Sequence, residues 1–412
     1  MHKDMSRVEL LAPAGDMSKL VTAFHFGADA VYVGGSDFGL RAGAANFGAK
    51  EMPEAVAYAH ERGKKLYTAV NVFARNADFG ALADHFRFLN ECGVDAAIVT
   101  DLGAIELCRK VAPALDIHVS TQANVTNKYA AKVYADMGAK RVVLARETRL
   151  DEIAEICDLL GDNVEIEAFV HGAMCVSYSG RCLLSAAMSG RSANRGNCAQ
   201  PCRWNFELTE AGRGGAHYPV FEDGRGTYIL NSGDLNMIRH LRELADAGVK
   251  SFKIEGRMKS QYYVASTVSA YRRAMDGFAA DDDFVLGEDI IGELEQTAHR
   301  AYTTGFYFGA EGAKVSGDVN QTEGESEFVA LVLGYDETSG RALVEQRNAF
   351  AEGDTLQLLA ADEAVNGAAV EVRDLRDEEG APVKRAKLVQ QHLTMPVPCR
   401  MQAYDILRRK KV

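Results

Sequence analysis

The sequence predicts an α/β chain: a TIM-barrel-like (β/α)8 domain with a cysteine-rich insertion, followed by a small C-terminal all-β barrel. Three observations lead there. Through the first part of the chain, a helix-ending glycine followed by a short β-branched run recurs at intervals. Amphipathic helical stretches fill the spaces between these runs. From about Glu327 the pattern changes to short alternating strands separated by Gly- and Asp-containing turns.

The junction appears at Gly27 before Val31-Tyr32-Val33, at Gly63 before the run Leu66 to Val70, and at Gly93 before Ala96 to Val99. It returns at Gly138 before Val142 to Leu144, at Gly161 before Val164 to Ile166, and at Gly248 before Phe252 to Ile254. Glycine just past a helix takes the left-handed conformation that other residues resist. The apolar run after it fits a strand buried on both faces. Val8 to Leu11 and Ile117 to Val119 bring the strands to eight. Asp16 is placed to cap a first helix, whose Leu20, Val21 and Phe24 share a face. Helical spacing continues over 52–62, 78–92, 103–111, 128–137 and 149–160. Alternating strands and helices imply a parallel sheet, and eight units a closed barrel.

Tyr228 to Asn231 is a ninth candidate strand, with a helix expected over 234–247. One candidate therefore lies in an insertion, or the barrel is irregular. The segment 172–226 breaks the rhythm and reads as a long functional insertion within a barrel domain spanning 1–280. A helix is expected over 259–277, a surface linker over 281–326, and the β domain over 327–412, ending in the basic tail Arg408-Arg409-Lys410-Lys411.

With 47% apolar and 25% charged residues the chain builds a large core, which excludes disorder and collagen-like fibre. A net charge of -12 excludes a uniformly basic nucleic-acid coat but not a local basic patch. No apolar run reaches the roughly 18 residues that span a bilayer. The N-terminal apolar run, broken by Pro13 and Gly15, is too short for a signal peptide. A cytoplasmic protein without membrane attachment is expected, with its cysteines as thiols or metal ligands.

Cys92, Cys108, Cys157 and Cys399 fall in regular elements and read as small core residues. Cys175, Cys182, Cys198 and Cys202 crowd into 28 residues with the spacing C-x6-C-x15-C-x3-C. Four thiolates within reach of one another suit zinc or an iron–sulfur cluster. The absence of C-x2-C knuckles favours iron–sulfur, and a metal-free loop is the plain alternative. Around them, residues 172–206 hold Arg181, Arg191, Arg195 and Arg203 and no acidic residue. Such charge offsets thiolates and can hold a phosphate backbone. Otherwise it is a solvated arginine-rich loop.

Polar residues also gather where the strands end, the active face of an α/β barrel. They include Arg41, Asn46, Asn71, Ser120, Thr121, Gln122, Asn124, Arg146, Glu147, Asp234, Lys253 and Arg257. Arg41, Arg146 and Arg257 suit a small carboxylate held bidentately. Glu167 and Glu255 are candidate acid/base groups, and His171, four residues before Cys175, is a candidate base or a lid over a cluster. For any one of these residues a structural hydrogen bond is an equal reading. Zincin, P-loop, Rossmann and α/β-hydrolase motifs are absent.

The stretch from Glu167 through His171-Gly172-Ala173-Met174-Cys175 to Arg181-Cys182-Leu183-Leu184-Ser185 resembles the signature of the U32 collagenase-like peptidase family. So do Asn194-Arg195-Gly196-Asn197-Cys198-Ala199-Gln200-Pro201-Cys202-Arg203-Trp204, the opening Leu10 to Asp16, and Leu40 to Phe47. Ser120-Thr121-Gln122-Ala123-Asn124 and Phe252-Lys253-Ile254-Glu255-Gly256-Arg257 fit as well, and the terminal β region resembles that family's elongation-factor-like barrel. Members of this size and cysteine pattern resemble the bacterial RNA hydroxylases, nearest those that hydroxylate the tRNA wobble uridine at carbon 5. The resemblance implies an oxygen-independent, prephenate-dependent hydroxylation with an iron–sulfur cluster, of the 4Fe-4S type, on Cys175, Cys182, Cys198 and Cys202. It implies tRNA and a prephenate-like carboxylate as partners, and admits a paralogous subunit.

The preferred expectation is thus a tRNA-modifying hydroxylase. Glu167, His171 and Glu255 are its candidate catalytic residues, and Arg41, Asn46, Asn71, Gln122, Asn124, Arg146 and Arg257 its substrate contacts. Arg181, Arg191, Arg195 and Arg203 are the candidate RNA contacts. A peptidase using a Cys175–His171 pair is the second expectation, although four clustered cysteines exceed what a thiol protease needs. The third is an RNA-binding module with a structural cluster.

Overall fold

The structure is a computed structural model of the chain. It describes residues 2–40, 46–175, 177–178, 181–201, 208–209, 217–218, 221–223, 226–228, 233–309 and 323–411. Seven parallel strands pair in chain order: β1 (Glu9–Pro13), β2 (Ala30–Gly34), β3 (Lys65–Val70), β4 (Ala96–Val99), β5 (Asp116–Val119), β6 (Arg141–Val143) and β7 (Glu165–Ala173). Two more follow, β8 (Asp234–Asn236) and β9 (Ser251–Ile254). β9 pairs in parallel with both β7 and β1 and closes an eight-stranded ring. β8 stays outside it, running antiparallel to the far end of β7 with Asp234 opposite Ala173 and Asn236 opposite His171.

That resolves the ninth strand, with two corrections. Tyr228 ends a short hairpin, Phe221–Asp223 against Gly226–Tyr228, and Ile229 to Asn231 lie outside the described residues. The helix expected from 234 begins only at Leu241, because Asp234–Asn236 is taken into the sheet by β7. β7 has nine residues, more than twice the length of each of its neighbours, and its register against β9 shifts at Lys253/Ile254. Its end therefore projects past the ring and offers β8 an edge.

Helices α1 (Met17–His25), α2 (Glu51–His60), α3 (Phe79–Glu91), α4 (Leu102–Val111), α5 (Lys128–Asp136) and α6 (Leu150–Leu160) lie outside the ring. Asp16 caps α1 by accepting from the Lys19 amide at 2.9 Å, and Asp101 and Asn127 cap α4 and α5 in the same way. The six junction glycines all have positive φ. In the insertion come α7 (Leu184–Ser189) and short hairpins; α8 (Leu241–Ala247) then precedes β9, and α9 (Gln261–Ala280) follows it.

The segment expected to be a linker holds α10 (Glu288–Glu295) and the strand β10 (Tyr302–Thr303), which extends the sheet beside β8. Ile290 and Leu294, one helical turn apart, are buried against α9. That apolar pair turns an acidic stretch into a docked helix. No helix among the described residues is long and apolar enough to cross a membrane.

The barrel interior is ionic. Arg141 reaches Glu9 across the ring, and its guanidinium also bonds Glu165 and, at 3.0 Å, Glu167. Lys253 Nζ lies 2.6 Å from the other Glu167 oxygen, Ser251 donates to Glu9 and Glu167, and Tyr67 donates to Glu9 at 2.7 Å. Burial works to raise the Glu9 carboxyl, but Arg141 and these hydrogen bonds outweigh it and hold the group below its usual range. Buried charge is tolerated here because each ion is paired and hydrogen-bonded.

The C-terminal region is a six-stranded antiparallel sheet. Its strands in chain order are β11 (Ser326–Asp336), β12 (Arg341–Gln346), β13 (Thr355–Leu359), β14 (Ala369–Glu371), β15 (His392–Pro396) and β16 (Ile406–Lys410). Beyond the edge strand β14, Arg376 bridges to Thr394 on the other edge strand β15. The expected basic tail is the central strand β16, and its charges are committed. Arg408 pairs with the buried Glu293 of α10, and Arg409 with Glu327 and Asp354. The first pair, with Phe328 stacked on Tyr262 and His25 bonded to Asp405, docks this region on α1, α9 and α10.

Candidate active site at the barrel mouth

Because β9 ends at Ile254, the next residues enter the mouth directly. Arg257 is 4% exposed, with its guanidinium against β2. A Cβ at Gly34 would overlap Arg257 Nη1 and stand 2.5 Å from Asn46 Oδ1, so only glycine leaves room for both side chains. Gly172, at φ 106, does the same for Glu255, whose carbonyl oxygen would lie 2.5 Å from a Cβ there. Tyr32 donates to Ile254 O at 3.0 Å and stands 3.4 Å from Glu255 Oε2. Arg146 lies over the Phe169 ring at 3.9 Å and 3.6 Å from the same Glu255 oxygen. Lys253, expected among the polar strand ends, lies 4.5 Å from the Tyr32 ring and 5.5 Å from that of Phe169, but its ammonium is bonded to Glu167 below the mouth.

The other expected contacts line the neighbouring strand ends. Asn71 holds the loop after β2 by accepting from the Leu40 amide at 3.2 Å. Gln122 sits in a single helical turn after β5, and its Oε1 is buried with no hydrogen-bond partner among the described residues. Such an atom is costly unless a ligand or water meets it. Asn124, at φ 55, accepts from Arg181 Nε. Arg41 lies outside the described residues.

Two candidate catalytic groups are not at the mouth. Glu167 is fully buried in the ionic interior, one layer down, with its oxygens taken by Arg141, Ser251 and Lys253. The β7 register shift turns His171 outward into tyrosines, with Tyr263, Tyr271 and Tyr302 rings within 6.0 Å. Burial pushes its imidazole down to about 3, with Asp234 opposing, so it is neutral at neutral pH. No hydrogen bond joins it to Cys175. Of the three expected catalytic groups, only Glu255 stands among the mouth arginines.

The insertion is tied across the mouth. Arg195 grips Asp78 with two bonds of 2.8 and 3.0 Å, and Phe73 N donates to Asn194 O. Arg181 lies over the Phe73 ring at 5.4 Å. Arg191 bonds Asn197 within the insertion, and Arg203 is outside the described residues. Arg181 and Arg195 thus serve first as tethers.

Cys175 and Cys198 are exposed and Cys182 is half-buried. Cys182 Sγ receives the Leu184 amide at 3.4 Å and Cys198 Sγ the Gln200 amide at 3.3 Å. Amide donors two residues on suit thiolate sulfur that carries metal charge. Against this, among the described residues no three His, Cys, Asp or Glu side chains stand close enough together to hold a metal ion, and Cys202 is outside those residues. The donor chemistry fits a cluster, and among the described residues alone no closed ligand set is assembled.

Residues 15–317 match the model of peptidase family U32, and residues 324–408 that of the peptidase family U32 C-terminal domain. The chain belongs to family U32. This U32 chain is 37% identical over 410 residues to tRNA hydroxylation protein P1 of Bacillus subtilis, covering 98% of this chain and 95% of that protein. It is 37% identical to tRNA hydroxylation protein P of Escherichia coli, covering 88% of each. It is 35% identical to the 23S rRNA 5-hydroxycytidine C2501 synthase of Escherichia coli, over 80% of this chain and 48% of that protein.

Proposed function

We propose that this U32 chain is an RNA-modifying hydroxylase acting on the wobble uridine of tRNA at carbon 5. The observation that carries the reading is its similarity, over nearly the whole chain, to proteins named for tRNA hydroxylation. The site supports it. Arg146 and Arg257 stand at a mouth whose buried Gln122 oxygen awaits a donor. Two arginines at one mouth suit a small polycarboxylate, and prephenate is the proposed co-substrate. Glu255, beside Arg146 and Tyr32, is the group placed to hold or move a proton there.

Cys175, Cys182, Cys198 and Cys202 are proposed to hold an iron–sulfur cluster, which would supply electron transfer at the mouth. Support comes from the amide donors to sulfur and from the acid-free, arginine-bearing stretch 172–206 around the cysteines. Anaerobic purification with iron and sulfide analysis tests it: about four of each per chain is expected for a cubane cluster.

Deleting the gene is expected to remove the 5-hydroxylated wobble uridine from tRNA, read by mass spectrometry of nucleosides. Unchanged nucleosides would refute the function. Binding of tRNA without any modified product would favour a non-catalytic RNA module. The peptidase reading loses its proposed pair, since His171 faces tyrosines rather than Cys175.

A further inference from the structure

Cations in the C-terminal region are mostly spoken for. Arg341 and Arg376 pair with Asp374, Arg347 with Glu345, Arg400 with Glu337, and Arg409 with Glu327 and Asp354. Lys384, Arg385 and Lys387 differ. All three are exposed, and among the described residues none forms an ion pair. The run from Gly380 to Gln391 holds no acidic residue, in a chain of net charge -12. Beside it, Leu388 and Val389 are 61% and 89% exposed, at a turn whose Gln390 has φ 56. The nearest backbone neighbour with a carboxylate is Glu352, whose amide bonds Lys384 O and whose Oε1 accepts from the Leu375 amide.

The position of this patch matters as much as its charge. Arg385-Ala386 pairs with Phe350-Ala351. Three residues earlier, Arg347 touches Gln261 at 3.5 Å, and Gln261 is the first residue of α9. The mouth loop holding Glu255 and Arg257 leads straight into that helix. The Phe350-Ala351 pairing and the first turn of α9 thus join the patch to the mouth loop.

We propose that Lys384, Arg385 and Lys387 form a second RNA-backbone contact of the site, gripping phosphates of the strand whose base enters the barrel. The inference rests on the RNA reading above and extends it from the mouth to the C-terminal region. Leu388 and Val389 meet the ribose and base faces beside those phosphates. An anionic membrane is the competing polyanion. Two apolar residues bury too little to hold a membrane surface.

The test uses the full chain and total bacterial tRNA, with binding followed by fluorescence anisotropy over a salt series. A Lys384→Gln/Arg385→Gln/Lys387→Gln variant is expected to bind roughly 10- to 100-fold more weakly near 0.1 M salt. Its slope of log K against log salt should fall by about two. Lys387→Glu alone, outside the paired strand, is expected to lose about tenfold, which guards against a misfolded triple variant. Unchanged affinity and slope in both variants, with the unaltered protein binding normally, would overturn the proposal and leave the RNA reading standing. No tRNA binding by the unaltered protein would sink both. Loss of binding to phosphatidylserine vesicles with tRNA binding intact would reassign the patch to membrane and overturn it.

Discussion

Arg141 and Arg257 are both buried arginines of one barrel, 2% and 4% exposed, set in unlike surroundings. Arg141 faces the carboxylates of Glu9, Glu165 and Glu167. Arg257 lies beside Gly34, Gly39 and the Asn46 amide, near a mouth that also holds Arg146. In the interior, one guanidinium is shared by three carboxylates. At the mouth the arginines lie against glycines, an amide and an aromatic face, with Glu255 3.6 Å from Arg146. Residue type alone does not separate scaffold from site; what surrounds the charge does.

Arg141→Met is the sharpest way to break that contrast. It strands Glu9 and Glu167 without their shared cation, and should cost roughly 3–5 kcal/mol of stability, read as a lower urea midpoint. Arg146→Met at the mouth is the counterpart. It should leave the midpoint within about 1 kcal/mol yet lower kcat/KM for tRNA hydroxylation roughly 30- to 100-fold, the value of one charge-assisted contact. If both variants failed in stability alone, the mouth would be scaffold as well.

The barrel was legible in the sequence because the Gly-to-strand junction repeats and each cap is local: Asp16 needs only Lys19 three residues on. The mouth was legible as a set, since strand ends must meet in a closed ring. Within the set, roles were not legible. Glu167 and Glu255 look alike in sequence, and only the ring brings Arg141 from β6 onto Glu167. His171 looked poised beside Cys175 because chain neighbours are assumed to share a face. A one-residue register shift in β7, set by pairing with β9, turned it away. α10 was missed because its apolar pair is sparse among acids, and it docks through Arg408, a partner 115 residues distant from Glu293.

The interior placement of His171 has a consequence in acid. Its folded value of about 3 lies below the ordinary 6.5, so the unfolded chain takes up the proton first. Its contribution to stability is therefore level above about pH 6.5 and is lost as pH drops from there toward 3, alongside that of His118, whose imidazole is also held by burial well below its usual range. The slope is about 1.4 kcal/mol per pH unit, or roughly 2 kcal/mol by pH 5. His171→Phe, which keeps a ring among the tyrosines, should flatten that slope in urea melts at pH 5 and 7. An unchanged slope would mean the ring is solvated in acid, as a mouth residue would be.

The smallest expected effect concerns the tether. Arg195 and Asp78 are 38% and 16% exposed at their side chains, so their ion pair contributes little globally, about 1 kcal/mol or less. The hydrogen bonds from Arg195 hold the Asp78 carboxyl down to about 2, so the tether persists until strong acid. Its leverage is local. With Asn194 bonded to Phe73, this contact joins the insertion to the loop between β3 and α3. Asp78→Ala should barely move the melting temperature but speed proteolytic cutting after Arg191 or Arg195, since opening of this segment no longer breaks a bidentate pair. Asp78→Asn, which keeps one acceptor, should lie between. Equal cutting rates in all three proteins would mean the insertion is held over the mouth by its cysteines rather than by this arginine.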